Sequence, residues 1–197
     1  MSQKRKLILR EGTDVDIVNN DGVVIQTKSL IGRATSQFST PIALENERKG
    51  HFLPESKIDN GYIVINRVTG ETHLTIAVYA EMFKGNILSN AVHMYKCNSV
   101  MTVGGLKSVA DNRGNIRREF VSKYENKPIY LQQVSASLRQ YDPGLHQDTE
   151  FIIFSSKVDV DALDTITLED GSKLKVIACN NFVFKGVSRI QVKSETR

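Results

Sequence analysis

The chain has 197 residues, 40% hydrophobic and 24% charged, which excludes a disordered polymer and supplies enough apolar side chains for one large or two small domains. No run approaches the roughly 18 apolar residues of a membrane span, and MSQKRKLILR has no apolar stretch that would make it a secretory signal. Lys4, Arg5, Lys6 and Arg10, with no acid among the first ten residues, account for the whole +4 excess of the chain. A basic arm over 1–12 on a neutral body is therefore expected, rather than a basic nucleic-acid-binding face. Such an arm suits phosphate or an acidic protein surface, or is a solvated terminus.

After the arm, the first unit is expected over 13–103, and its pattern is β nearly throughout. The stretch 34–55 carries Ser, Thr, Gly and charge and is a candidate extended loop. Ile63-Val64-Ile65 and the alternating Leu74, Ile76 and Val78 predict a hairpin, with Thr69-Gly70 at the turn, where glycine permits positive φ. Gly104-Gly105 reads as a bend at a strand end rather than a phosphate cradle. A polar connection is expected over 104–127, long for a structureless loop and therefore a functional candidate. Within it, 106–125 is the one stretch polar enough to hide a short helix, against which Gly114 argues.

The second unit is expected over 128–197. Ile166 and Leu168, the turn Glu169-Asp170-Gly171-Ser172, and the alternating Leu174, Val176 and Ala178 predict a second hairpin that matches the first. Each begins with Ser-Lys, a β-branched residue and Asp (from Ser56 and from Ser156). Each ends on a Phe-Lys-Gly turn, Phe83-Lys84-Gly85 and Phe184-Lys185-Gly186, and the offset stays at 100 or 101. Upstream, 24–33 echoes 130–139 through Gln26/Gln132, Ser29/Ser135 and Arg33/Arg139. Shared hairpin grammar explains part of this, but a constant offset through four elements points to duplication. The expected fold is mainly β, with two related small β-barrel or sandwich units in tandem joined by a long loop.

Nothing in the pattern carries catalysis: there is no P-loop, GxGxxG after a strand, GxSxG or HExxH. No catalytic, cofactor or metal site is assigned. His51, His73, His93 and His146 lack short metal spacing; His73 and His93 are expected on neighbouring strands without a third ligand. Asp159, Asp161 and Asp164 read as turn and strand-entry residues, with Ca²⁺ the minor alternative because the EF-hand Gly and Glu are missing. Cys97 and Cys179 lie in apolar segments as small buried hydrophobes, consistent with synthesis in a reducing cytoplasm; a bridge between them stays open.

The order of motifs in YLQQVSASLR, DPGLHQDTEFIIFSS and VDVDALDTITLEDGSKLKVIACNNFVFKGVSRIQV resembles the small β-barrel head–tail joining proteins of tailed phages, the stopper or head-completion type. GYIVINRVTGETHLTIAV followed by VHMYKCNSVMTV is also similar to minor neck proteins. The resemblance covers most of 56–197, and this chain departs from it in having two units where small stoppers have one. It implies a non-enzymatic virion protein of the neck, made in the host cytoplasm, without cofactor or membrane. A homo-oligomeric ring of six or twelve copies would line or close the DNA channel between portal or adaptor protein and tail terminator or tail protein. Packaged double-stranded DNA would be touched without sequence preference. Lys107, Arg113, Arg117, Arg118 and Lys123 are the candidate channel or DNA-facing residues of the connection. Lys4, Arg5, Lys6 and Arg10 form the candidate docking arm, and edge strands are the expected ring contacts. The alternatives are another virion ring component (tail terminator, tail tube or baseplate) and, in a different class, an OB-like nucleic-acid-binding module.

Overall fold

Alternation of the Val15–Ile17 kind, one side chain buried and the next at the surface, runs through the chain and curls it into barrels rather than open sheets. The computed structural model describes residues 3–34, 46–110, 116–162 and 164–195, without the side chains of 106–110 and 117–120. The first barrel contains β1 (Thr13–Val18), β2 (Val24–Arg33), β3 (Glu47–Phe52), β4 (Ile63–Asn66), β5 (Thr72–Phe83) and β6 (Asn86–Lys96). The second contains β7 (Ser99–Ala110), β8 (Ile116–Gln133), β9 (Phe151–Ser156), β10 (Thr165–Leu168), β11 (Lys173–Phe184) and β12 (Val187–Ser194). The order around the first is β1-β2-β3-β6-β5-β4 and around the second β7-β8-β9-β12-β11-β10, both closed and antiparallel. Each strand of one thus has its counterpart six strands later, and the tandem repeat read from the hairpins extends to the whole topology.

Closure is made by Ile17 opposite Val64 in the first barrel and by Ile166 opposite Val103 in the second. All four of these side chains are fully buried, each adding about 1.5–3 kcal/mol of apolar burial. Phe52 and Met94 fill the first interior against Gly50, where a Cβ would meet both at under 3 Å. Ile129, Ile153 and Ile190 fill the second. Both expected hairpins are present: Ile63 pairs with Leu74, and Ile166 pairs with Leu174. Lys84 and Gly85 both take positive φ (47° and 79°) in the β5–β6 turn, the backbone a tight two-residue hairpin turn needs.

By its contacts the chain forms one unit of Met1–Cys97 with Phe182–Val187 and another of Asn98–Asn181 with Ser188–Arg197. The division thus falls at 97/98 rather than after 103. The stretch expected as a long loop, 104–127, is strand over 104–110 and 116–127, with 111–115 outside the described residues. Its polar composition belongs to a two-stranded ribbon: 105–110 and 116–121 pair with each other, whereas β10 reaches β7 only at 101–104 and β9 reaches β8 only at 129–133. Register shifts at Met101–Gly104 and a positive φ of 51° at Asn126 form bulges at the base of the ribbon, the device that bends a strand out of a sheet.

Helix occurs elsewhere than 106–125. α1 (Gln3–Glu11) has no 3.6-residue apolar period; it is held by fully buried Ile8 and closed by Gly12 N–H donating to Ile8 O at 2.9 Å. α2 (Ala136–Tyr141) starts where Ser135 Oγ accepts from Leu138 N–H. The echo between 24–33 and 130–139 therefore ends at this point: β2 runs on through Arg33, while β8 stops at Gln133. Arg139 then donates to the carbonyls of Gln147 (2.8 Å) and Thr149, and Gln191 of β12 accepts from His146 N–H and Thr149 Oγ, pinning this connection to the barrel. Of the second loop candidate, 47–52 is β3 and 54–56 a short 3-10 turn; 35–45 lies outside the described residues. No described helix is long and apolar enough to cross a membrane.

His73 is fully buried on β5, its ring nitrogens make no well-formed hydrogen bond among the described residues beyond a weak approach to the Val64 backbone, and Glu71 Oε2 stands 3.7 Å from Nε2. Burial pushes its pKa below the ordinary 6.5, Glu71 opposing and Arg48 and Lys96 assisting. Because the folded state then binds fewer protons than the unfolded, the contribution of neutral His73 is complete above about pH 6.5 and is lost as pH falls below that value through the lowered folded pKa. Thermal unfolding between pH 8 and pH 5 tests this: wild type should lose more of its midpoint temperature than His73→Leu over the same range. Equal losses would remove His73 from the account.

Candidate functional site

The ribbon of β7 and β8 carries the cations proposed for a channel, and the structure separates them into different environments. Lys107 lies on β7, opposite Glu119, and Arg117 and Arg118 lie on β8 opposite Val109 and Ser108; Arg113 is outside the described residues. At the tip Ile116 is 75% exposed. Lys123 is different. Its Nζ is 2.7 Å from both Asp161 Oδ2 and Asp164 Oδ2, and those hydrogen bonds, first Asp161 and then Asp164, raise its pKa above the ordinary lysine value.

Asp164 is almost fully buried, and its Oδ2 also accepts from Asp161 N–H at 2.9 Å. A Cβ on Gly105 would come within 2.3 Å of Asp164 Oδ1, so glycine here makes room for a carboxylate rather than a phosphate. Asp161 and Asp164 thus close a turn, and Lys123 neutralises them. Lys123 is a structural cation, and its partners, two aspartates three residues apart, lie about forty positions further along the chain.

The N-terminal arm is likewise ordered by its charges. Lys4 pairs with Glu81 of β5, Arg5 with Glu55 (2.5 Å) and Arg10 with its neighbour Glu11 (2.7 Å). Burial alone would raise the Glu81 carboxyl, but Lys4 and the Ser89 hydroxyl outweigh it and hold its pKa down. Of the four candidate docking cations, Lys6 is the exposed one with no ion pair among the described residues. The arm is a helix seated on its own barrel, not an extended segment.

His73 and His93 do stand on adjacent strands, but His73 is buried and opposite Lys96 while His93 is exposed and opposite Ala77. His93 instead faces Tyr79 (ring centroids 6.2 Å) and pairs across strands with Lys49, whose ammonium is 5.9 Å from the Tyr79 ring. This outer face of β3, β6 and β5 combines one aromatic with basic neighbours, a grouping that the sequence scatters over 49–93. Cys97 is free and half-buried, its thiol pushed up to about 12 by desolvation; Cys179 is free, half-buried and also raised, burial first and Asp159 second.

Several large exposed apolar groups lie at or near hairpin tips, and Tyr141 at the end of α2 is exposed as well. Met82, Phe83 and Ile87 are 63%, 60% and 50% exposed at the β5–β6 turn, and Phe182 and Val183 are 95% and 50% exposed towards the end of β11. Isolated apolar residues at a surface are ordinary, but such clusters mark sites of contact. Neither a family model nor a curated protein matches the sequence.

Lys123→Gln should leave Asp161 and Asp164 without their cation and lower the melting temperature by about 3–6 °C. Measured by calorimetry beside a double-stranded DNA binding assay, the loss should appear in stability and not in affinity. A fall in affinity at unchanged stability would return Lys123 to the ligand-facing set.

Proposed function

We propose that this protein is a structural ring component of a phage neck, of the stopper or head-completion type, lining or closing the DNA channel between portal or adaptor and tail. The observation that carries the reading is the tandem pair of closed barrels with one topology, the second bearing a long ribbon with Lys107, Arg117 and Arg118. Two like bodies in one chain suit a ring in which six copies present twelve related units to a partner of doubled symmetry. A ribbon that runs past the flanking strands β9 and β10 suits a lumen element, and a few arginines and lysines near moving DNA supply weak, salt-screened and sequence-independent attraction. Other cations, among them Lys4, Arg5, Lys123 and Arg189, are held in ion pairs within the chain.

The exposed Tyr79 with Lys49 and His93 gives the nucleic-acid-binding reading its footing, because base stacking beside a cation is how single strands are held. A further virion ring, such as a tail terminator, differs from the neck reading only in its partner.

The purified protein, alone and mixed with DNA-filled tailless capsids, separates these readings when followed by light scattering and negative-stain imaging. The neck reading expects a sixfold or twelvefold ring at the portal vertex. Binding to tail tubes but not to capsids would move the protein to the tail. Absence of any ring in both settings, with tight binding to single-stranded DNA that Tyr79→Ala abolishes, would replace the neck reading with the nucleic-acid module.

A further inference from the structure

The two Phe-Lys-Gly turns have the same place in the repeat but different surroundings. Lys185 and Gly186 belong to the unit formed with Met1–Cys97. There Lys185 Nζ is 3.1 Å from Asp59 Oδ2. Gly186 lies so close that a Cβ on Gly61 would fall 1.9 Å from Gly186 O, and a Cβ on Gly186 would fall 2.5 Å from Asn60 O. Both glycines take positive φ. The Asp59 carboxyl is held below its ordinary pKa: burial would raise it, but the Asn60 N–H and the Lys185 ammonium prevail.

The counterpart of this turn is Phe83-Lys84-Gly85, and the counterpart of its seat, at the offset of 100, is Asp159. Among the described residues Lys84 has no carboxylate partner, its ammonium resting 5.6 Å above the Phe83 ring. Asp159 is exposed, and among the described residues its carboxylate has no cation; its backbone N–H donates to the Tyr124 hydroxyl at 3.0 Å. One Lys–Asp pair of the repeat is therefore formed, while among the described residues neither half of the other has an ion-pair partner, and Lys84 sits amid exposed Met82, Phe83 and Ile87.

We propose that the β5–β6 tip of one copy docks at Asp159 of a second copy, Lys84 facing Asp159 as Lys185 faces Asp59 within one chain. The surface is head-to-tail: each copy offers a tip and a seat, so repetition gives a ring when the rotation closes. Asp161 stands where Gly61 does in the first seat, so the second seat cannot bring backbones as close. It offers carboxylate instead, with the Asp161 side chain 78% exposed beside Lys123. The tip's apolar groups lose water on docking, and the charge pair fixes which end meets which. The proposal deepens the ring reading and rests on it only in requiring that copies associate.

Charge reversal tests the contact with the full chain. Lys84→Glu and Asp159→Lys, both at exposed positions that leave the barrels intact, should each weaken self-association by roughly tenfold or more in sedimentation experiments, and the double variant should restore it. Alongside, Lys84→Cys with Asp159→Cys and a short bis-maleimide should give a ladder of linked chains, while Asp59→Cys with Lys185→Cys should link within one chain. Rings that assemble unchanged in both single variants, with no ladder, overturn this contact and leave the ring reading standing. Failure of the Asp59–Lys185 control to link removes the template and overturns the proposal as well. Absence of association by the wild type, in solution and on tailless capsids, overturns both.

Discussion

Closure of the barrels is the constraint on which the other features depend. Once β1 pairs with β4 and β7 with β10, each strand has a neighbour on both sides within the closed part of its barrel. Within the closed parts the backbone donors and acceptors are already paired, so an edge-strand contact of the expected kind is left to stretches that run past a flanking strand. Among the described residues one-sided stretches include the ribbon at 105–110 and 116–121 and β5 at 77–83, which pairs with β6 beyond the reach of β4. Any partner must be met by such stretches, by side chains on the outer walls or by the hairpin tips, where several large exposed apolar groups lie.

Electrostatics follow the same division. The chain carries a modest positive excess, yet the arm that supplies it is anchored by Glu81 and Glu55, and Lys123 is committed to two aspartates. Charges that look available in the sequence are thereby spent on holding α1 to its barrel and on closing the turn before β10. What is left for a partner is a set of backbone-placed cations on the ribbon and single groups such as Lys84 and Asp159, which have no ion-pair partner among the described residues. Weak contact with passing DNA and selective contact with another copy are compatible on such a surface, because each uses different side chains.

The fold was legible where local chemistry decides. Period-2 alternation and the glycine turns at Gly70, Gly85, Gly171 and Gly186 place four hairpin strands and their registers, and the constant offset places the repeat. Legibility ended where tertiary contacts decide. α1 depends on Ile8 finding a pocket in the first unit, and its own Leu7-Ile8-Leu9 has no helical period. α2 depends on a Ser135 cap in a segment that elsewhere continues as strand. The ribbon looked like a loop because Gly104-Gly105 and the charged and polar residues of 107–119 break the alternating pattern. The Lys123–Asp161–Asp164 group and the Tyr79–Lys49–His93 face join residues far apart in sequence, and no spacing rule signals them.

Closure can be measured directly by cross-strand nuclear Overhauser contacts together with amide exchange on labelled protein. The account predicts contacts between Ile17 and Val64 and between Ile166 and Val103, with slowly exchanging amides on β1, β4, β7 and β10. Fast exchange on those strands with neither contact present would mean open sheets with free edges. It would contradict the claim that association is confined to tips, walls and one-sided stretches.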